Sequence, residues 1–119
     1  MLYMLLIYGR EADWRQRDRT HRARVMESHI KAVQMENDDG VLVASGRLLP
    51  TAHATTVRAT DDGIVVLDGP FAETKEQFGG FQVLNCDNLD HVLKYVRQFA
   101  AHGGTVEIRP LHPDPISLD

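Results

Sequence analysis

Cysteine and long apolar segments are scarce in this sequence. The single cysteine, Cys86, excludes an intrachain disulfide, and such usage is typical of a reducing compartment. The apolar beginning, residues 1–8, is too short to span a bilayer and lacks the basic segment and cleavage site of a signal peptide. We therefore expect a cytoplasmic protein with no membrane partner.

An excess of positive charge is also missing. Lys and Arg number 13 against 17 Asp and Glu, which gives a formal net charge of −4. Nucleic-acid-binding domains usually carry a clustered basic face, so we expect no nucleic-acid partner. The arginine-rich residues 15–24 are interpreted as a solvated helix face, with an anion site as the alternative.

Signatures of bound metals and nucleotides are missing as well. The six histidines form no His-x-His or His-Glu-x-x-His pattern, and one cysteine cannot form a Cys-x-x-Cys pair. The sequence also has no Gly-x-Gly-x-x-Gly, no P-loop and no nucleophile elbow. We expect no metal and no cofactor.

The length of 119 residues fits one domain, which we expect to occupy residues 1–111 and to be followed by a tail, 112–119. Residues 10–38 carry apolar side chains at helical spacing, and a clearer stripe over residues 89–100 predicts a second helix. Six apolar or β-branched segments predict strands: 2–8, 41–44, 55–59, 64–67, 81–86 and 105–111.

Both helices carry further local signals. The apolar positions of the first are Ala23, Met26, Ile30 and Val33. The second can be capped at its start by Asp87 or Asn88, whose side-chain oxygens accept from free backbone N–H groups. Gly103 and Gly104 can close its end in a left-handed conformation.

The order of these elements predicts an α+β fold of ferredoxin-like type, βαββαβ, with an inserted hairpin. The hairpin is indicated by Asp62-Gly63 between the strands 55–59 and 64–67. The helices would cover one sheet face, and the other would expose apolar residues of the first, fourth and fifth strands. A second copy of the chain is the natural cover, so we expect a homodimer.

The segment 68–81, DGPFAETKEQFGGF, stands out between two apolar runs. Connections in small domains are mostly shorter, and long ones are often functional. The segment therefore indicates either a binding loop or a rigid structural clamp, and Gly79-Gly80 is its predicted hinge.

Four segments (1–9, 54–58, 68–81 and 106–110) together resemble the YCII-related, or DGPF-domain, family of small bacterial proteins. The resemblance implies a dimeric α+β barrel of ferredoxin-like topology. It also implies a cleft in which a His–Asp pair forms the active site, as proposed for the YCII-like branch. Some family members occur beside extracytoplasmic-function sigma factors. This chain differs from the family at Gln82, where an aromatic residue is common, and at Asn85, where an acidic one is.

Two residues are candidates for catalysis. Asp68 ends a strand directly before the turn Gly69-Pro70, which suits a general base, although aspartates there also cap turns. His29 borders the core-facing stripe of the first helix, where it is either a proton-transfer group or a satisfied core histidine. If the helix crosses the strand ending at Asp68, the two residues form an acid–base pair.

Further ligand contacts are expected from Phe71, Glu73, Lys75 and Gln82. The charged residues of the loop could close over an anionic ligand. Their alternative role is to form ion pairs that fix the loop or cross the dimer, and such exposed pairs stabilise a fold by only about 0–1 kcal/mol each.

These features lead to two functional hypotheses. The first is a cofactor-free enzyme that uses His29 and Asp68 for proton transfer on a small metabolite. The second is a non-catalytic dimer that binds a small ligand or has a regulatory role, including a link to sigma-factor-associated signalling. A closed, apolar cleft with Asp68 bonded to its own turn would favour the second hypothesis.

Overall fold

A computed structural model describes residues 1–101 and 104–119, apart from the side chain of Phe99. The elements in chain order are β1 (Leu2–Gly9), α1 (Glu11–Gln16), α2 (Arg19–Asp38), β2 (Leu42–Arg47), a 3₁₀ turn (Thr51–His53), β3 (Thr55–Thr60), β4 (Gly63–Asp68), β5 (Gln77–Asn85), α3 (Leu89–Ala100) and β6 (Thr105–Pro110).

Four strands form an antiparallel sheet in the order β2-β5-β1-β6. Leu5 lies opposite Gln82 on one side and Ile108 on the other, so these three side chains share one face. Along the chain, helices lie between β1 and β2 and between β5 and β6. Together with the strand order, these connections confirm the predicted ferredoxin-like arrangement.

The predicted hairpin is also confirmed, because β3 and β4 pair antiparallel across Asp62-Gly63. It forms a separate two-stranded sheet and does not join the main one. The expectation that the fourth strand contributes to the open face of the main sheet is therefore wrong. Alternation along the strands gives that face to Met4, Leu6 and Val83 of β1 and β5 instead.

The apolar core lies between the main sheet and the helices α2 and α3. The stripe of α3 supplies Val92, Tyr95 and Val96, which are all buried, as its spacing predicts. The Asn88 side chain accepts from the backbone N–H of His91 at 3.0 Å, so the predicted cap is confirmed. The predicted closure of this helix falls partly on Gly103, which lies outside the described residues.

The prediction of one helix over residues 10–38 is wrong, because the chain breaks between α1 and α2. Asp18 has an extended backbone, and its side chain accepts from the N–H of His21 at 2.8 Å, which starts a new helix. The predicted stripe also changes, since Ile30 is 53% exposed.

Among the described residues, none of the helices has the length and apolar composition of a membrane span.

Strand β5 begins four residues before its predicted start and ends at Asn85. Gly79 and Gly80 therefore lie within a strand, and the predicted hinge at these glycines is wrong. A Cβ on Gly80 would lie 3.1 Å from the carbonyl oxygen of Gly46, so glycine permits the close approach of β2 and β5. The connecting loop shortens to residues 69–76.

Candidate functional site

A cavity of about 510 Å³ lies at one end of the main sheet. Its walls come from the last residues of β1 and β2, the first residues of β5 and β6, helix α1 and the middle of α2. Helix α3 contributes no residue to these walls within the part of the chain that the structure describes. Ligand sites are commonly concave and of this size.

Helix α2 contributes one face to the cavity. Val25, Met26, His29 and Val33 line the wall at a spacing that places them on neighbouring turns. His29 is half-buried. The helix thus presents a titratable imidazole among apolar side chains, which is a common setting for a binding or proton-transfer group.

Two guanidinium groups approach the rings of Trp14 of α1. Arg22 is 5.7 Å and Arg47 is 5.2 Å from the centre of its rings. Arg22 also donates to the carbonyl oxygens of Trp14 and Arg15, both at 3.0 Å. The short helix α1 is therefore fixed against α2 by an arginine, and Trp14 and Arg47 remain as walls of the cavity.

The cavity is rich in arginine. Arg10, Arg15, Arg17 and Arg47 line it, and none of them forms an ion pair with another described residue. The acidic wall residues are Glu11, Asp13 and Glu76.

Glu11 is occupied elsewhere, because its carboxylate accepts from the N–H and the hydroxyl of Thr51 at 2.7 and 2.9 Å. The guanidinium groups therefore leave the cavity suited to an anionic ligand.

Gln77 links the loop to the cavity wall. Its Oε1 accepts from the backbone N–H of Glu11 at 3.1 Å, and its Nε2 donates to the carbonyl oxygen of Thr74 at 2.9 Å. Together with the Glu11–Thr51 contact, these bonds connect the start of α1, the 3₁₀ turn and the loop. For this part of the segment 68–81, these bonds favour the structural clamp over the binding loop.

A buried polar pair lies beside the cavity. Gln82 is 3% exposed and lines the wall, and Glu36 of α2 is fully buried. Gln82 Nε2 donates to Glu36 Oε2 at 2.9 Å. Burial raises the pKa of Glu36 from 4.5 to about 7, although the bond from Gln82 acts in the opposite direction. Glu36 is therefore poised to hold a proton near neutral pH.

The structure brings only two of the six predicted site residues to this cavity, His29 and Gln82. Asp68 ends β4 opposite Thr55, is exposed, and is absent from the cavity wall. Its carboxylate accepts no hydrogen bond from any described residue, and the turn is closed by Gly69 N–H donating to the carbonyl oxygen of Ala54 at 2.8 Å. Within a single chain, the cavity therefore contains His29 without Asp68.

The three other predicted contacts belong to the loop. Phe71 is 76% exposed, with the Arg58 guanidinium 5.9 Å from its ring centre. Glu73 lines a smaller hollow of about 270 Å³ together with Pro70 and Gln77. Lys75 is exposed and forms no ion pair within the described residues, so the predicted ion-pair role is not seen in one chain.

Sequence reasoning missed Glu36, Trp14 and Arg47. Glu36 follows His29 by seven residues, two helical turns, and this spacing could have placed both on one face. Trp14 and Arg47 carried no comparable signal, because their meeting depends on the break between α1 and α2. In the described part of the chain, no three His, Cys, Asp or Glu side chains form a group that could hold a metal ion.

The fold defines a small α+β protein with ferredoxin-like strand order and a cavity at one end of its sheet. The YCII-related domain matches residues 1–113, and the chain belongs to that family. Over 115 residues it is 38% identical to an uncharacterized protein of Rhizobium meliloti (strain 1021), a match that covers 93% of this chain and 92% of the relative.

A solved structure of similar fold is 5-chloro-2-hydroxyhydroquinone dehydrochlorinase from Burkholderia phenoliruptrix, in complex with 2,5-dihydroxybenzoquinone. The TM-score is 0.57, the sequence identity is 16%, and the match covers 94% of each chain. At this identity the likeness concerns the fold alone.

Proposed function

We propose that the protein is a cofactor-free enzyme that binds a small planar anion in this cavity and uses His29 for proton transfer. The observation that carries the proposal is the position of His29 in the wall of a cavity of about 510 Å³, together with arginine and aromatic side chains. An imidazole titrates near neutral pH, so it can take up and return a proton under cellular conditions.

The anionic character of the ligand is supported by the arginines in the wall. Guanidinium groups bind carboxylates and acidic hydroxyl groups through paired, charge-assisted hydrogen bonds. Arg47 is the best placed of them, since its stacking on Trp14 fixes its position at the end of β2.

The planar character of the ligand is supported by the aromatic side chains of Tyr8, Trp14 and Phe81, which all line the cavity. The dehydrochlorinase of similar fold was solved with 2,5-dihydroxybenzoquinone, a planar ring compound. We propose a ligand of the same general class for this chain and use that compound as a probe.

The homodimer, the dimeric barrel and the DGPF subgroup also belong to the proposal, as does the cytoplasmic location. A dimer is supported by the hairpin, whose apolar side chains Val57, Ile64 and Val66 are between 63% and 74% exposed on one face. A lone two-stranded sheet is marginally stable in water, so this face gains from cover. Any contribution of Asp68 to a cavity would then come from a second copy.

The alternative is a non-catalytic dimer that binds the same class of ligand. It is favoured by the position of Asp68, the predicted partner base, outside the cavity wall of the same chain. The two functions differ in one respect that can be measured, which is whether a bound molecule exchanges a proton with solvent.

The experiment follows hydrogen–deuterium exchange at the carbon next to the keto group of phenylpyruvate, an aromatic 2-oxo acid anion whose enol form is planar, by NMR in deuterated buffer. We expect the protein to accelerate exchange and His29→Gln to lose about 10²-fold of that rate, the usual contribution of a general base. The matched control is His21→Gln, which replaces an exposed histidine of the same helix outside the cavity.

Binding of phenylpyruvate by calorimetry accompanies the exchange measurement. Binding without exchange would support the non-catalytic alternative. Exchange that is equally fast in His29→Gln would contradict the role of His29.

A further inference from the structure

The Glu36–Gln82 pair contains two oxygen atoms with no hydrogen-bond partner among the described residues. They are the Oε1 atoms of both side chains, and both are inaccessible to water. Buried acceptors are rarely left unpaired in native proteins, because an unmade bond costs the full desolvation of the atom. Glu36 and Gln82 already share one hydrogen bond, so a donor placed between their two Oε1 atoms would satisfy both.

A single proton supplies that donor. A neutral carboxylic acid has one O–H group and one accepting oxygen, which complement the C=O and N–H₂ of a carboxamide. If Glu36 carries the proton, its O–H can donate to Gln82 Oε1 while Gln82 Nε2 donates to Glu36 Oε2. An ionised Glu36 would instead leave both Oε1 atoms unpaired and a charge buried.

We propose that Glu36 is a positioning residue of the cavity, held as a neutral acid that exchanges two hydrogen bonds with Gln82 and so keeps the helix that carries His29 against β5. This inference rests on one part of the proposed function, namely that the ligand binds in this cavity. The pair joins two walls, since His29 and Val33 of α2 face the cavity on one side and Gln82 of β5 on the other.

Glu36 forms no ion pair with a Lys or Arg side chain among the described residues. Gln82 of β5 is uncharged. Burial is the largest cause of the raised pKa values of Cys86, just after β5, and Tyr95 of α3, and a negative charge on Glu36 raises both further. Tyr95 donates to Asp39, which also approaches Lys94. Both groups are uncharged near pH 7, so loss of the Glu36 proton would leave a buried charge beside neutral groups of α3 and β5.

The expected consequence is a cavity whose shape depends on pH. When Glu36 ionises, it can no longer donate to Gln82 Oε1, and the contact between α2 and β5 weakens. Affinity for an anionic probe should then decrease. In Glu36→Gln, two amides can form the same reciprocal pair without a proton, so this part of the pH response should disappear.

The first test needs no ligand. With glutamate labelled by ¹³C at the side-chain carboxyl, NMR should show the Glu36 signal titrating well above that of Glu27, an exposed glutamate of the same helix. The Glu36 signal is assigned from the Glu36→Gln spectrum. Titration of Glu36 together with Glu27 would overturn the proposal whether or not the protein binds any ligand.

The second test measures affinity for 2,5-dihydroxybenzoquinone by calorimetry between pH 5.5 and 8.5. Relative to wild type, Glu36→Gln should bind equally well at low pH and about fivefold more tightly at high pH, because only wild type loses the pair. Glu27→Gln is the control and should follow wild type. A constant ratio between Glu36→Gln and wild type would overturn the positioning role.

Failure of the proposed function has a separate sign. If no probe binds at any pH but the Glu36 signal still titrates well above that of Glu27, the proposal of a neutral Glu36–Gln82 pair is supported. The cavity is then not the binding site for these probes. In that case the pH dependence of the His29 ring signals in wild type and in Glu36→Gln replaces the affinity measurement. A difference between the two proteins supports the positioning role, and identical titration curves overturn it.

Discussion

The amide of Gln82 donates to the carboxyl group of Glu36 at 2.9 Å, and both side chains are buried where α2 crosses β5. Four residues of α2 line the cavity on the N-terminal side of this contact, His29 among them. The apolar core with α3 lies on its other side. The Glu36–Gln82 contact thus marks the boundary between the packed half of the molecule and the open half.

The free energy of unfolding should decrease as pH rises from about 4.5 to about 7. Burial raises the pKa of Glu36 in the folded protein, so over this range the folded chain holds a proton that the unfolded chain has lost. The stability that this proton provides is fully present below 4.5, lost through 7 and constant above it, and amounts to about 3 kcal/mol.

Urea denaturation at several pH values measures this effect. Glu36→Gln should remove the decrease over that range, whereas Glu27→Gln should retain it. Equal slopes in wild type and Glu36→Gln would mean that Glu36 ionises normally in the folded state.

Replacement of Arg47 by Met should weaken binding of 2,5-dihydroxybenzoquinone about tenfold. The substitution removes a guanidinium group that lines the cavity but keeps an apolar chain against Trp14. Calorimetry measures the change, and Arg24→Met, at an exposed position of α2 outside the cavity, is the control. Equal affinities in both variants would remove Arg47 from the site.

Gln77→Leu should destabilise the protein by about 1–2 kcal/mol, because it leaves the Glu11 N–H and the Thr74 carbonyl without their partner. Limited proteolysis should then cut within residues 69–76 more quickly. Gln34→Leu, an exposed glutamine of α2, is the control for the loss of a surface amide. Unchanged stability and proteolysis would show that the loop is held by other contacts.

Ile64→Lys should shift the protein from dimer to monomer in sedimentation experiments. Ile64 is 74% exposed on the same hairpin face as Val57 and Val66, and a buried lysine would oppose the association of two such faces. Thr20→Lys adds the same charge at an exposed position of α2 and should leave the dimer intact. A monomeric wild-type protein would contradict the proposed homodimer.

Local sequence patterns predicted much of the fold. The Asp62-Gly63 turn between two β-prone runs and the regular stripe of α3 are strong signals that depend on a few neighbouring residues. Both are confirmed, and the order of elements was enough to predict the ferredoxin-like arrangement.

The errors came from elements whose structure depends on distant contacts. The break before α2 relies on Asp18, which the periodicity of residues 10–38 does not reveal. Strand β5 begins at Gln77 because Gly79 and Gly80 fit against neighbouring strands, whereas two adjacent glycines suggest a hinge when read locally.

The site was predictable only in part, for the same reason. His29 was predicted from the stripe of the first helix, and Gln82 from the family resemblance, because an aromatic residue is common at that position. Asp68 was grouped with His29 on the assumption that its strand joins the main sheet, and the hairpin instead forms a sheet of its own. Glu36 escaped notice because a glutamate on a helix is normally solvent-exposed.

The central claim, that the cavity bordered by His29 is the binding site, is tested most directly by NMR of the isotopically labelled protein titrated with 2,5-dihydroxybenzoquinone. We expect the largest chemical-shift changes at the Trp14 indole, the His29 ring and the Gln82 amide. The Arg47 guanidinium signals should change as well. Changes confined to Asp68 and Phe71, or no saturable change at any residue of the cavity wall, would contradict it.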